Sequence, residues 1–283
     1  MFISDQLSYN CLKLFHRWIN SLSYSKRTRL GQKLGSLVFE KLKIRQKEAK
    51  KNIQLAFPKA PKSFHNRILK KLHHHFGIML LDALCGQKVS KREGMIIEGK
   101  NKLNAAYEEK KGVILISGHF GNWELIPTWL AINDYEIVTV FQRQSNRGAD
   151  LFFRELRNNL GTSPVYQTTS ATKLIRYIRN GKILILASDQ NAGIKGEFVD
   201  FFDHPASTPR GADVLHKKTG APIITAFCYK ENNGRYTLKF DKLPDNNEIS
   251  IMSRFTSILE TEIRSRPYQY FWFHRRWKSK PIE

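Results

Sequence analysis

Apolar side chains in the N-terminal part of the chain recur every three or four residues, whereas from residue 111 onward they gather into short unbroken runs. The first habit belongs to amphipathic helices and the second to buried strands. Residues 4–22 place Leu7, Cys11, Leu14, Phe15, Trp18 and Leu22 at helical spacing, with Lys13, Arg17 and Asn20 between them. A helix with aromatic anchors and a basic face suits a lipid interface, and it equally suits packing on the protein's own core. Residues 23–51 carry Leu30, Leu34, Leu37, Val38 and Leu42 at the same spacing, as a second long helix dense in Lys and Arg. Pro58 and Pro61 end this part, and Ser63 is placed to cap a third helix over 63–86. That helix holds His73, His74 and His75, which point in three directions and cannot close on one metal ion. They read as surface or packing residues.

Beyond residue 111 the pattern predicts strands over 113–117, 135–141, 182–187 and 222–229, alternating with helices over 122–132, 149–160, 171–180 and 209–219. Runs that are apolar throughout and separated by helices imply a parallel or mixed sheet covered on both faces. Asn232-Asn233-Gly234 turns the chain into an antiparallel strand over 236–240, and a helix over 248–266 closes the pattern. The expectation is an α/β protein with a central mixed, mostly parallel sheet flanked by helices, and with N-terminal amphipathic helices. Residues 1–60 read as a basic, membrane-associating helical segment and 61–283 as the α/β domain. In such sheets ligands bind outside the carboxyl ends of the strands. Four patches then share one edge: 119–124, 141–143, 189–191 and whatever follows Tyr229.

Charge sharpens this picture. The chain holds 47 Lys and Arg against 25 Asp and Glu, a net +22, and such an excess points to a polyanionic partner: nucleic acid, an anionic membrane face or an acidic protein. Any single Lys is ordinary solvated surface. Cys11, Cys85 and Cys228 lie far apart with no Cys-x-x-Cys, which suits a reducing compartment and excludes the usual zinc spacings. No run approaches the ~18 apolar residues of a spanning helix. Asp5, Lys13 and Arg17 argue against a signal peptide. The expected location is the cytoplasmic side, on a membrane surface or off it.

Candidate chemistry centres on Gly118-His119-Phe120-Gly121-Asn122-Trp123-Glu124. A histidine at a strand end with a carboxylate five residues on is expected about once by chance in a chain of this composition, so its context decides. The two glycines permit a sharp turn or close approach to a ligand, and Asn122 is a candidate N-cap whose helix exposes N–H groups to a carbonyl or anion. Glu124 is placed to accept from one imidazole nitrogen, leaving the other as a base toward a hydroxyl. With no Gly-x-Ser-x-Gly elbow and no convincing Cys, direct transfer onto a hydroxyl is simpler than a covalent acyl-enzyme. Arg143, Arg154 and Arg157 are candidates for holding phosphate or carboxylate oxygens, with Arg154 also free to pair with Glu155. Asp189 and Gln190 leave a strand; the carboxylate there suits orienting a histidine, positioning an arginine, bonding a sugar or forming a local Asx turn. Phe198, Phe201 and Phe202 suit an acyl groove or the core. The C-terminal Tyr268-Gln269-Tyr270-Phe271-Trp272-Phe273-His274-Arg275-Arg276-Trp277-Lys278 interleaves aromatics and cations, which suits a headgroup interface or single-stranded nucleic acid.

Taken together, GHFGNWE, the FQR and RNNLG elements, SDQNAG with FFDHPAST, and the terminal YFWFHRRWK resemble, in order and spacing, the lipid A late acyltransferases, the lauroyl/myristoyl transferase family of bacterial endotoxin synthesis. RQKEAKKNIQLAFP upstream is also similar. The resemblance implies a glycerolipid-acyltransferase-like fold with His119 as general base and Glu124 as its partner, and functional roles for Arg157, Asp189 and Gln190. It implies an acyl carrier protein or CoA thioester as cosubstrate with no cofactor or metal, and a phosphorylated glycolipid acceptor. It also implies an anionic membrane surface as partner, at the cytoplasmic face of the inner membrane. The N-terminus is less apolar than the family's usual spanning helix, so the expected anchor is interfacial. A nucleic-acid-binding protein is the rival reading; it explains the charge but not the strand-end motifs, and no nucleic acid is expected as partner.

Overall fold

The computed structural model describes residues 3–91, 95–246 and 248–281. Helices α1 (Ile3–Ser21), α2 (Tyr24–Leu37), α3 (Gln46–Ala56), α4 (Lys62–Leu84) and α5 (Gly86–Ser90) come first. An α/β part follows: β1 (Ile96–Glu98), α6 (Lys100–Glu108), β2 (Val113–Ser117), α7 (Leu125–Ile132), β3 (Ile137–Phe141), α8 (Arg147–Asn159), β4 (Ser163–Tyr166), α9 (Ala171–Arg179) and β5 (Ile183–Ala187). A hairpin, β6 (Glu197–Phe201) and β7 (His204–Thr208), precedes α10 (Gly211–Thr219), β8 (Ile223–Lys230), β9 (Tyr236–Lys242) and α11 (Ile251–Ser265).

Among the described residues, seven strands form one sheet in the order β1-β9-β8-β2-β5-β3-β4, with β8 and β9 antiparallel and the other pairs parallel. The expected mixed, mostly parallel sheet is present. Its centre, β2, is buried along its whole length. Because successive side chains alternate across a strand, Ile114 and Ile116 enter one apolar core with Leu184, Phe227 and Phe255, while Val113 and Leu115 enter another with Ile183, Ile224 and Trp129. The sheet therefore needs helices on both faces, which is why its strands read as unbroken apolar runs. Sequence periodicity misses the short edge strands β1 and β4, helix α6 and the β6–β7 hairpin, each too brief or too polar to carry a clear period.

The long helix expected over 23–51 is broken. A π turn at Val38–Leu42 ends α2, and Lys43 and Arg45 both take the left-handed conformation, at φ 49° each, before α3 begins. Unbroken, that helix would run about 45 Å, longer than the 23-residue α4 on which both α2 and α3 pack. The break folds both halves onto α4. At the α2–α4 crossing the backbones nearly touch, since a Cβ at Gly77 would lie 2.1 Å from the Gly31 carbonyl oxygen.

The N-terminal helices are tied to the sheet by a buried charge cluster. Asp82 of α4 is fully buried and accepts from Arg27 Nε of α2 at 2.8 Å, from Lys230 Nζ at 3.0 Å and from the Tyr236 hydroxyl at 2.8 Å. Removing one partner of such a set strands the others. Asp82→Ala leaves two cations without their counter-charge and is expected to lose about 3–5 kcal/mol of stability, read as a fall in the denaturant midpoint.

Candidate active site

Strands β2 and β5 are parallel neighbours, and their register pairs Ser117 with Ala187. Residues two positions beyond that pair, His119 and Asp189, therefore leave the sheet side by side. Nδ1 of His119 lies 2.6 Å from Oδ1 of Asp189, and the His119 backbone N–H donates to Oδ2 at 2.9 Å. The carboxylate thus grips both the ring and the main chain, fixing the tautomer with the proton on Nδ1. Nε2 is left as the basic nitrogen, 3.3 Å from Nε2 of the Gln190 amide.

The sharp turn after His119 is held from several sides. Gly121 sits at φ 64°, where an added Cβ would lie 2.0 Å from the Cys228 carbonyl oxygen, so the close approach is to β8 rather than to a ligand. The C-terminal segment runs antiparallel to the turn: Phe271 N–H donates to the His119 carbonyl and Gly121 N–H to that of Gln269, both at 2.9 Å. His75 Nε2 contacts the Gly121 carbonyl at 3.3 Å from the other side; burial pushes its pKa down to about 4, so the neutral ring donates there. His73 and His74 face Leu69 O and Ser36 Oγ instead, so the triplet does pack in three directions.

Burial opposes charging of His119, but the charge and hydrogen bond of Asp189, with a smaller contribution from Glu124, outweigh it and raise the pKa above its usual value. Burial likewise opposes charge on Asp189, and His119 prevails, holding the carboxyl below the usual range. Behind Asp189 stand the Tyr270 hydroxyl, whose pKa is raised well above its usual value by burial and by the Asp189 charge, and the Arg276 guanidinium, which bonds Ser207 O and Thr208 Oγ1 of β7. His274 Nε2 accepts from Asn191 N–H at 2.9 Å and pins the 189–191 loop; burial lowers its pKa to about 4.

His119 and Gln190 line a cleft of about 610 Å³ beyond the carboxyl ends of β2, β3 and β5, together with Glu124, Arg157, Gln142 and Ala192. An apolar side pocket of about 240 Å³ between α4, α7 and α8 shares Trp123, Glu124 and Arg157 with it. Three of the four expected patches meet here.

Two sequence-based roles are corrected. Glu124 does not orient the imidazole: its carboxylate receives Arg157 Nη2 at 3.1 and 3.4 Å, and Asp189 occupies Nδ1. Five residues on, past a left-handed glycine, Glu124 has turned toward α8, whereas the parallel register delivers Asp189 to the ring. Asn122 does not cap α7; it is fully buried against Met79 O and the Tyr236 hydroxyl, and Glu124 takes the cap position. Arg143 is exposed and stacks on Tyr166 at 4.4 Å. Glu155 accepts from the Tyr9 hydroxyl rather than pairing with Arg154. Phe201 and Phe202 belong to the core. So do Tyr270, Trp272 and Trp277 of the terminal aromatic stretch, whereas Tyr268, Phe271 and Phe273 are half-buried. The residues that sequence reasoning misses, Tyr270, His274 and Arg276, lie in a stretch whose composition signals a surface, whereas its pairing with the turn at 119–121 carries part of it inward.

The family described as bacterial lipid A biosynthesis acyltransferase matches residues 11–279. A lipid A biosynthesis palmitoleoyltransferase of Escherichia coli is 25% identical over 276 residues, covering 94% of this chain and 89% of that protein. A lipid A biosynthesis lauroyltransferase of the same organism is 23% identical, covering 92% of this chain and 88% of its own. A phosphatidylinositol mannoside acyltransferase of Mycobacterium tuberculosis is 26% identical over 161 residues, covering 56% of this chain and 51% of its own. With a family match that spans nearly the whole chain, the protein is an acyltransferase and belongs to the bacterial lipid A biosynthesis acyltransferases.

Proposed function

We propose that the protein moves a fatty acyl chain from a thioester, carried by acyl carrier protein or CoA, to a hydroxyl of a lipid A precursor or similar phosphorylated glycolipid at the cytoplasmic face of the inner membrane. The observation that carries this reading is the 2.6 Å contact from Asp189 to Nδ1 of His119, which leaves Nε2 as the base at the cleft. In the reaction, His119 Nε2 takes the acceptor hydroxyl's proton as the oxygen attacks the thioester carbonyl. The tetrahedral oxyanion is held by backbone N–H groups or an arginine. Its collapse expels the thiolate, which recovers the proton from the imidazolium. No cofactor is needed.

Arg157, held by Glu124 and facing the cleft, is suited to an anionic group of donor or acceptor, and the apolar side pocket is suited to the acyl chain. The exposed stripe Ile3, Leu7, Leu14 and Trp18 on α1 supports peripheral membrane attachment; no helix among the described residues is long and apolar enough to cross a membrane.

The test is an assay with labelled acyl thioester, with and without glycolipid acceptor. Label is expected in the lipid; fatty acid released at the same rate without acceptor would show a hydrolase instead. Glu124→Gln, which frees Arg157 without touching the His119–Asp189 pair, is expected to lower transfer about 10- to 100-fold, and an unchanged rate would remove Glu124 from the site.

A further inference from the structure

Away from the catalytic cleft, the chain at residues 40–45 places six consecutive exposed residues, Glu40-Lys41-Leu42-Lys43-Ile44-Arg45, on the surface. Leu42 is 59% and Ile44 55% exposed, although nothing in a water-facing turn stabilises aliphatic side chains so placed. The turn is also conformationally costly. It contains the π turn at Val38–Leu42 and two non-glycine residues, Lys43 and Arg45, in the left-handed region; such strain persists where the surroundings over-determine it, and it clusters at functional sites. Here the surroundings do so: Gln46 Nε2 donates to Phe39 O at 3.2 Å and Arg45 Nη1 to Phe273 O at 3.3 Å.

Directly behind the turn lies an apolar pocket of about 390 Å³, distinct from the cleft and its side pocket. Leu34, Val38 and Ile44 form one wall and Phe76, Leu80 and Phe273 the other, with Leu80 itself 51% exposed. Its inner wall, Phe76 and Phe271, touches Trp123, and Phe271 also neighbours the His119 ring at 6.0 Å. Around its outer edge the cations alternate with the aliphatics. Residues 38–51 hold six Lys and Arg, namely Lys41, Lys43, Arg45, Lys47, Lys50 and Lys51, against Glu40 and Glu48.

We propose that the turn over residues 38–45 inserts into an anionic bilayer, Leu42 and Ile44 entering the hydrocarbon while Lys41, Lys43 and Arg45 meet lipid phosphates, so that the apolar pocket behind it opens directly onto the membrane interior. Long cationic side chains reach back to the headgroups while neighbouring aliphatics go deeper, and the alternation supplies both at successive positions. An acidic protein would satisfy the cations but leave Leu42, Ile44 and Leu80 without a partner, which favours the bilayer. This inference rests on the reading of a lipid acceptor and assigns the side from which it arrives. It also gives the membrane contact a second point besides α1.

The test uses full-length protein with Cys11→Ser, Ile44→Cys and a polarity-sensitive fluorophore on the new thiol, since Cys85 and Cys228 are buried. Vesicles of phosphatidylglycerol and phosphatidylethanolamine are compared with phosphatidylcholine alone. The fluorophore is expected to report an apolar environment on the anionic vesicles only. Leu42→Glu with Ile44→Glu is expected to weaken vesicle partitioning at least about tenfold, given the apolar burial lost. A fluorophore that stays in water on vesicles that bind the protein would leave α1 as the anchor and overturn the proposal. So would unchanged partitioning of the double variant, or a response only to an added acidic protein. Because the readout needs no turnover, it is repeated on His119→Ala protein, and its failure is separate from failure of the transfer reaction.

Discussion

His119→Ala is expected to lower acyl transfer about 10⁴-fold, the upper range for a general base whose orienting partner remains, while vesicle binding and fold persist. Among the described residues, His119 is the one histidine that lines the cleft, its unprotonated Nε2 met by the Gln190 amide N–H, so no neighbouring histidine replaces it: His274 is committed to Asn191 N–H and His75 to Gly121 O. Fold should survive because Asp189 keeps the main-chain N–H of residue 119 as a donor and the Arg276 charge beside it after the ring is gone. Initial rates of acceptor-dependent transfer, with circular dichroism on the same samples, give the answer. Turnover near the parent rate would remove His119 from the chemistry. In the proposed reaction His119 must be neutral to act, and its pKa lies above the ordinary histidine value because Asp189 and Glu124 outweigh the effect of burial. The acid limb of the rate profile therefore sits above about pH 6.5, with transfer rising as pH climbs through it.

Much of the site is legible in the order of residues alone, and the reason that legibility stops short is geometric. Val113–Ser117 is apolar throughout, so a buried strand leading to His119 follows from pattern, and α7 follows from the next apolar segment. Asp189 is recognisable as a strand-end carboxylate by the same logic. What periodicity cannot supply is which strands are neighbours. Only the β2–β5 pairing, with Ser117 opposite Ala187, places two residues 70 apart within hydrogen-bonding reach. Without that pairing, sequence proximity favours Glu124. The terminal aromatics mislead for a related reason: Tyr270 is drawn inward by pairing with the turn at 119–121, Arg276 by β7 and Trp272 by Asn52 and Phe57, contacts that no local property of the stretch encodes. The break after Val38 is likewise invisible locally, since the demand for it comes from the length of α4.

Asp189→Asn then separates the two candidate partners of the histidine, with an expected loss of about 10⁴-fold in kcat. The carboxylate accepts twice, from Nδ1–H and from the His119 main-chain N–H. An amide has one acceptor oxygen and one donor nitrogen, so it satisfies one and opposes the other. If the oxygen meets the main chain, the amide nitrogen donates to Nδ1, and the ring adopts the tautomer with its proton on Nε2, where it cannot accept one from the substrate. If the oxygen meets Nδ1, two N–H groups are forced together and the turn at 119–121 is displaced. Either arrangement also withdraws the negative charge that does most to raise the His119 pKa. The residual activity should thus show its acid limb at lower pH than the parent, a shift that a merely structural lesion would not produce. Glu124→Gln keeps the Asp189 contact and should move that limb less. If the two variants exchanged places, with Glu124→Gln losing the larger factor and the larger pH shift, the orienting role would revert to Glu124, and the 2.6 Å contact would not be the one that catalysis uses.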